Sequence, residues 1–189
     1  MIQALLVSLS TVALAELGDR TQLLVLVLAT RFRRPWPIVA GVVCATLISH
    51  GVAAAVGAWV GTRLRTGILD VAVGASMVLM GLWMLKPDAL EEGERVTDHR
   101  GIFLTTVGTF LLAELGDKTQ IATLALAAGY HNLPAVIVGS SLGMFICNIP
   151  VIFLGKLFAD RLPLRAIRYA SSAAMIILGA VFLLRGLHH

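Results

Sequence analysis

Two copies of one short acidic motif carry most of the chemistry that this sequence offers. The first reads AELGDRTQ at residues 15–22 and the second AELGDKTQ at residues 113–120, each inside a long apolar stretch. Their four carboxylates are Glu16, Asp19, Glu114 and Asp117. Ionised groups in an apolar span are costly and usually functional. An ion-paired network that only holds helices together is the competing interpretation, although apolar packing serves that purpose better.

The residue types in the motifs favour a hard cation. Glu and Asp three residues apart share one face of a helix, and threonine and glutamine oxygens follow directly. Oxygen donors suit Ca²⁺, Mn²⁺ or Mg²⁺ better than a thiophilic metal, and neither copy contains Cys or His. The predicted metal ligands are therefore Glu16, Asp19, Thr21, Gln22, Glu114, Asp117, Thr119 and Gln120.

The charge balance of the motifs favours exchange. Four carboxylates against the two bases Arg20 and Lys118 leave an empty site at net −2. One divalent cation or two protons would neutralise it, and crowded carboxylates hold protons readily. Each base follows a Glu by four residues, so it either pairs with that Glu or keeps the carboxylates apart until a cation arrives.

Further residues have two open interpretations each. Gly18 and Gly116 either let helices pack closely or let the backbone unwind and offer carbonyl groups. His50 and Asn148, which fall mid-span, either complete the site or are buried, hydrogen-bonded polar residues. Cys44 is interpreted, like Cys147, as a small buried hydrophobe.

The elements that position these residues are predicted to be membrane-spanning helices. The sequence is 58% hydrophobic, with a mean hydropathy of +0.88 and only 14% charged residues, against about 25% in soluble domains. We predict an all-α polytopic membrane protein with six spans, the first of which is not a cleavable signal peptide. The predicted spans are Ile2 to Thr30, Trp36 to Val60, Ile68 to Leu85, Ile102 to Ala128, Leu133 to Phe158 and Ile167 to Leu184.

The two halves of the chain are predicted to be repeats of one three-helix unit. The motifs lie 98 residues apart, and the same offset matches Gly41 with Gly139 and Met77 with Met175. Because three is an odd number of spans, the second repeat must enter the membrane from the opposite side, which gives inverted repeats. The predicted units are a first repeat at residues 1–86, an acidic linker at 87–101 and a second repeat at 102–189.

Loop charges predict the orientation. Most Lys and Arg residues lie on one side of the predicted membrane, which is the side of the linker and of the loop after the first span. The opposite side carries Arg63, Arg65 and Arg185. The linker is therefore expected in the cytoplasm, with both termini outside. The net charge of +4 is explained by this bias, and no nucleic-acid partner is expected.

The paired Glu-x-Gly-Asp-[Lys/Arg]-[Thr/Ser] motif resembles that of the transmembrane protein 165 family of divalent-cation transporters, over nearly the whole chain. The resemblance implies transport of Mn²⁺, or else Ca²⁺, in exchange for protons. It also implies that the four motif acids bind the ion. A bacterial plasma membrane and export from the cytoplasm are then expected. The expected partners are the metal ion and the lipid bilayer, with a homo-oligomer left open and no cofactor beyond the transported ion and protons.

Three other functions compete with transport of a divalent cation. An exporter of a small organic cation or amino acid needs a roomier pocket than small and acidic residues suggest. A cation channel would also use acidic residues in its pore. A membrane enzyme is not expected, because the chain has neither a nucleophile-elbow motif nor a His-Glu-x-x-His motif.

Overall fold

The computed structural model describes residues 1–63, 66–85, 101–130, 132–154 and 164–187. Within that part the chain forms eight helices and no strand, so the predicted all-α class is confirmed. The helices are α1 (Ile2–Glu16), α2 (Arg20–Phe32), α3 (Pro35–Gly61), α4 (Thr66–Trp83), α5 (Ile102–Glu114), α6 (Lys118–Tyr130), α7 (Leu133–Leu154) and α8 (Leu164–Leu187). Residues 87–100 of the predicted linker lie outside the described residues, as does the predicted end of the fifth span.

The apolar composition of these helices makes the molecule a membrane protein. Of the described helices, α3, α7 and the segment Tyr169–Leu187 of α8 are long and apolar enough to cross a bilayer. The helices α1 and α5 are shorter and apolar, as is the segment Gly67–Trp83 of α4. Helix α3 begins with Pro35, which suits the first turn because that position needs no amide donor.

The first and fourth predicted spans are each broken into two helices, which corrects the sequence interpretation. Helix α1 ends at Glu16 and α2 begins at Arg20, while α5 ends at Glu114 and α6 begins at Lys118. Both breaks contain a glycine with a positive φ, +76° at Gly18 and +73° at Gly116, which other residues adopt only under strain. The expectation that Glu and Asp share one face of a continuous helix is therefore wrong.

Helix α3 of the first half packs against α5 and α6, the two helices of the broken span in the second half. A methyl group at Gly41 of α3 would collide with Thr106 of α5. Further along α3, a methyl group at Gly61 would lie 2.6 Å from the carbonyl oxygen of Ala128 in α6. Since contacts this short are not tolerated, the glycines allow α3 to lie directly on α5 and α6.

Helix α7 lies in the same way along the first half. A methyl group at Gly143 would lie 2.6 Å from the carbonyl oxygen of Leu9 and 2.9 Å from the amide nitrogen of Ala13. The thiol of Cys147, one turn further on, donates to the carbonyl oxygen of Ala13 at 3.4 Å. Helix α7 therefore follows α1 toward the first break.

Helices α4 and α8 form an antiparallel pair with closely spaced backbones. A methyl group at Gly74 would lie 2.7 Å from the carbonyl oxygen of Gly179, and one at Gly81 would lie 3.0 Å from that of Ser172. The Ser172 hydroxyl donates to the Gly81 carbonyl oxygen at 2.5 Å. Buried methionines of this pair, including Met77 and Met175, belong to an apolar cluster shared with α6, and a second cluster is formed by α2, α5 and the facing parts of α1, α3 and α7.

Candidate metal centre

The first motif forms a short turn between two helices. Glu16 is the last residue of α1, Leu17 is extended, and Asp19 is the N-cap of α2. The amide of Asp19 donates to the carbonyl oxygen of Glu16 at 3.1 Å. The amide of Gly18 donates to Oε1 of Gln22 at 3.1 Å. The motif glutamine therefore caps the turn that its own motif creates.

The second motif repeats this turn. The amide of Asp117 donates to the carbonyl oxygen of Glu114 at 3.1 Å, and the amide of Gly116 donates to Oε1 of Gln120 at 3.0 Å. A methyl group at Gly116 would meet nothing within 4 Å. Of the two interpretations of this glycine, close packing therefore fails and unwinding of the backbone is confirmed.

Three of the four predicted carboxylates converge. Glu16, Asp19 and Asp117 are at most 4% exposed, and one oxygen from each lies within 4.8 Å of the others. Such a group of buried acids can hold a cation. Glu114 is also fully buried but lies outside this group, and its Oε1 accepts from the Thr46 hydroxyl of α3 at 3.4 Å.

The ion pairs at the centre run between the two motifs. Lys118 is paired with Asp19, and the guanidinium of Arg20 lies 3.7 Å from Oδ1 of Asp117. Arg20 also donates to the carbonyl oxygen of Ala113 at 2.7 Å. The sequence suggested pairing of each base with the Glu four residues before it, whereas these pairs join each base to the Asp of the opposite motif.

The motif threonines contact the carboxylates as donors. The Thr21 hydroxyl donates to Oε1 of Glu16, and the Thr119 hydroxyl donates to Oδ2 of Asp117 at 3.1 Å. Both threonines are fully buried. The structure therefore brings both of these predicted residues to the carboxylates.

The two glutamines bind the turns to neighbouring helices. Nε2 of Gln22 donates to the carbonyl oxygen of Cys147 in α7 at 3.2 Å. Nε2 of Gln120 donates to the Ser49 hydroxyl of α3 at 3.2 Å. Since each glutamine oxygen already accepts from a motif glycine, the arrangement fits a positioning role better than the predicted ligand role.

Helices α3 and α7 supply the remaining polar side chains. Nδ2 of Asn148 donates to Oε1 of Glu16 at 2.8 Å, so Asn148 reaches the centre. His50 is fully buried, and among the described residues neither of its ring nitrogens has a hydrogen-bond partner. Sequence reasoning missed Thr46, although it precedes His50 by four residues and so lies on the same face of α3.

Over the described residues the chain is all-helical and apolar, and two of its predicted spans are broken at buried carboxylates, an architecture typical of membrane ion transporters. A family model described as "Divalent cation/proton antiporter GDT1" matches residues 4–92 and 102–189. The chain belongs to this family, as the resemblance to transmembrane protein 165 predicted. It is accordingly a transporter and not an enzyme.

Relatives from bacteria and yeast support this membership. The chain is 45% identical over 179 residues to a Vibrio cholerae protein named "Putative manganese exporter", with 94% of this chain and 89% of that protein covered. It is 31% identical over 183 residues to a GDT1-like protein of Synechocystis, covering 86% and 87%. It is 26% identical over 235 residues to the "Divalent cation/proton antiporter GDT1" of Saccharomyces cerevisiae, covering 96% and 84%. No solved structure matches the chain.

Proposed function

We propose that this protein exports Mn²⁺ from the cytoplasm in exchange for protons, with Glu16, Asp19, Glu114 and Asp117 as the cation-binding acids. The observation that carries the proposal is the convergence of Glu16, Asp19 and Asp117 from two separate helix breaks. A cargo site made from both halves can respond to movement of one half against the other, as alternating access requires.

The ion pairs between the motifs give a physical basis for exchange. Lys118 is paired with Asp19, and Arg20 lies beside Asp117. A divalent cation competes with these bases for the same carboxylates, and protons compete with both. The net charge of −2 that the four acids and two bases leave is neutralised equally by one divalent cation or by two protons.

Mn²⁺ is the preferred cargo in this proposal, with Ca²⁺ second. The oxygen donors of the centre suit both ions, and the name of the Vibrio cholerae relative favours Mn²⁺. The threonine hydroxyls of Thr21 and Thr119 stand next to the carboxylates and are proposed as neutral ligands after rotation. Gln22 and Gln120 are proposed to hold the turns in place.

The packing supports six spans arranged as inverted repeats. Only residues 33–34 separate α2 from α3, so α3 turns back across the membrane relative to α1 and α2. Helix α3 then runs parallel to α5 and α6, because its contacts advance from Thr106 to Ala128 as α3 advances from Gly41 to Gly61. The two broken pairs therefore point in opposite directions. The antiparallel pairing of α4 with α8 obeys the same two-fold relation.

The proposed orientation places the α2–α3 connection in the cytoplasm of a bacterial cell. Arg31, Arg33 and Arg34 cluster there, as the positive-inside rule requires. A cysteine introduced within residues 86–100, in a chain lacking Cys44 and Cys147, should be protected from an impermeant thiol reagent applied outside cells. Strong external labelling would reverse the orientation.

The function is tested with purified protein in liposomes that contain a pH-sensitive dye. An imposed proton gradient should drive Mn²⁺ uphill, and Mn²⁺ movement should release or take up protons inside. Binding of Mn²⁺ to the purified protein should weaken between about pH 8 and pH 5, because metal and protons share the carboxylates. Downhill flux that no proton gradient can reverse would indicate a channel, and binding independent of pH would exclude proton exchange at this centre.

A further inference from the structure

The side of the centre formed by α7 differs from the all-oxygen site that the motifs alone predict. Nδ2 of Asn148 donates to Oε1 of Glu16 at 2.8 Å and also lies 3.2 Å from both the carbonyl oxygen and the thioether Sδ of Met144. All three residues are fully buried. One amide nitrogen is thus surrounded by a carboxylate oxygen, a carbonyl oxygen and a sulfur.

Two buried acceptors in this group have no hydrogen-bond partner within the part of the chain that the structure describes. They are Oε2 of Glu16 and Oδ1 of Asn148. Rotation of the Asn148 amide would replace the donating nitrogen with this oxygen. Carboxylate, amide oxygen and sulfur would then lie together as three acceptors, a set that a bound cation would satisfy.

The equivalent position in the other half carries no sulfur. The 98-residue offset pairs Met144 with Thr46, whose hydroxyl lies 3.4 Å from Oε1 of Glu114. The nearby thiol of Cys147 is turned toward the backbone of α1, where it donates to Ala13. Met144 therefore places a thioether sulfur 3.2 Å from the Asn148 nitrogen that donates to Glu16.

We propose that Met144 is a specificity-determining ligand, whose thioether favours transition-metal and softer divalent cations over Ca²⁺ and Mg²⁺ at the Glu16 side of the centre. Thioethers bind softer metals and add little to the binding of hard ones, which take oxygen ligands. The inference deepens the proposed function and rests on Glu16 being a cargo ligand.

The test is metal binding to the full chain in lipid nanodiscs, using Cd²⁺, Mn²⁺, Ca²⁺ and Mg²⁺ separately in calorimetric titrations. Met144→Leu keeps volume and apolar character and should fold. The affinity of the Met144→Leu variant for Cd²⁺ should fall by about tenfold, its affinity for Mn²⁺ should fall less, and its affinities for Ca²⁺ and Mg²⁺ should not change. Met144→Thr, which copies the residue at position 46, should move the preference further toward Ca²⁺.

Met77→Leu is the matched control, because both methionines are fully buried in apolar clusters but Met144 also contacts the Asn148 side chain beside Glu16. It should leave all four affinities unchanged. An equal loss for every metal in Met144→Leu would show that Met144 acts only through packing, and an unchanged affinity for Cd²⁺ would show that its sulfur is not a ligand. If Asp19→Asn left metal binding intact in the wild-type background, the proposed site itself would be wrong instead.

Discussion

The α1–α2 and α5–α6 junctions have the same backbone but different surroundings. Both have a glutamate at a helix end, a glycine with positive φ and a glutamine that caps that glycine. Around Glu16 stand Asn148 and Met144 of α7, whereas Glu114 meets Thr46 of α3. The motif thus determines the turn. The helix packed against it from the other half determines which side chains surround the motif glutamate.

The two halves share their ion pairs but differ in the side chains that α3 and α7 supply. The ion pairs are shared, because each motif supplies a base to the other's aspartate. The polar and sulfur groups of α3 and α7 are not shared. Changes in the acids and glycines of the motif should therefore have matched effects in the two halves, and changes in the flanking helices should not.

The largest effect is expected from Asp19→Asn and Asp117→Asn. Either change leaves an empty site at net −1, so that bound Mn²⁺ creates a buried positive charge, which is costly in a low-dielectric medium. Mn²⁺ transport into liposomes should fall by orders of magnitude in both variants, while the purified proteins remain folded and monodisperse. Full transport by either variant would remove that aspartate from the site and end the equivalence of the halves.

A smaller, also matched, effect is expected from Gly18→Ala and Gly116→Ala. A side chain in the left-handed region costs roughly 1–2 kcal/mol, and the strained turn would misplace the neighbouring acids. Both variants should melt at a lower temperature than the wild type and transport more slowly. Gly108→Ala is the control, because Gly108 lies within α5 and a methyl group there meets nothing within 4 Å. A melting temperature unchanged in the Gly116 variant would show that the turn tolerates another backbone conformation.

Removal of the two motif bases, Lys118 and Arg20, should affect Mn²⁺ binding to moderately different extents. The Lys118 side chain is 4% exposed and that of Arg20 is 22% exposed, so solvent screens Arg20 more. Lys118→Gln should strengthen Mn²⁺ binding by about tenfold and slow its release, since more negative charge remains in a poorly screened place. Arg20→Gln should do the same to a lesser extent. Binding titrations and turnover rates measured together test this, and weaker binding in both variants would contradict it.

The smallest effects are expected from the hydroxyl groups. Thr21→Val removes a buried donor to Glu16, and Thr46→Val removes a longer contact to Glu114. Each change removes a neutral hydroxyl that donates to a carboxylate, and such bonds contribute about 1.5–3 kcal/mol at good geometry, so transport should fall about tenfold for Thr21→Val and several-fold for the longer Thr46 contact. Initial rates at subsaturating Mn²⁺ measure the difference. A loss in Thr46→Val as large as that of Asp117→Asn would show that Glu114 depends on α3 more than the 3.4 Å contact suggests.

The sequence predicted the helical class, the repeat and the candidate acids from composition, offset and spacing. Helix α3 was predicted within one residue at each end, because Pro35 and the following polar residues mark its limits. The helix breaks were not predicted, since the motifs lie in unbroken apolar stretches and glycine allows two interpretations there. The cross-motif ion pairs and the position of Met144 depend on which faces of distant helices meet, and local spacing carries no information about that.

The glycine contacts of α3 also set an order of events during synthesis. Gly41 and Gly61 accommodate residues of α5 and α6, which the ribosome adds later. When the first half enters the membrane, α3 therefore lacks the surface that it is shaped to fit. The partners of α3, helices α5 and α6, are synthesised only with the second half. Helix α1, against which α7 packs, has by then already been synthesised. Each half thus completes the other, and neither half synthesised alone would reach its native packing.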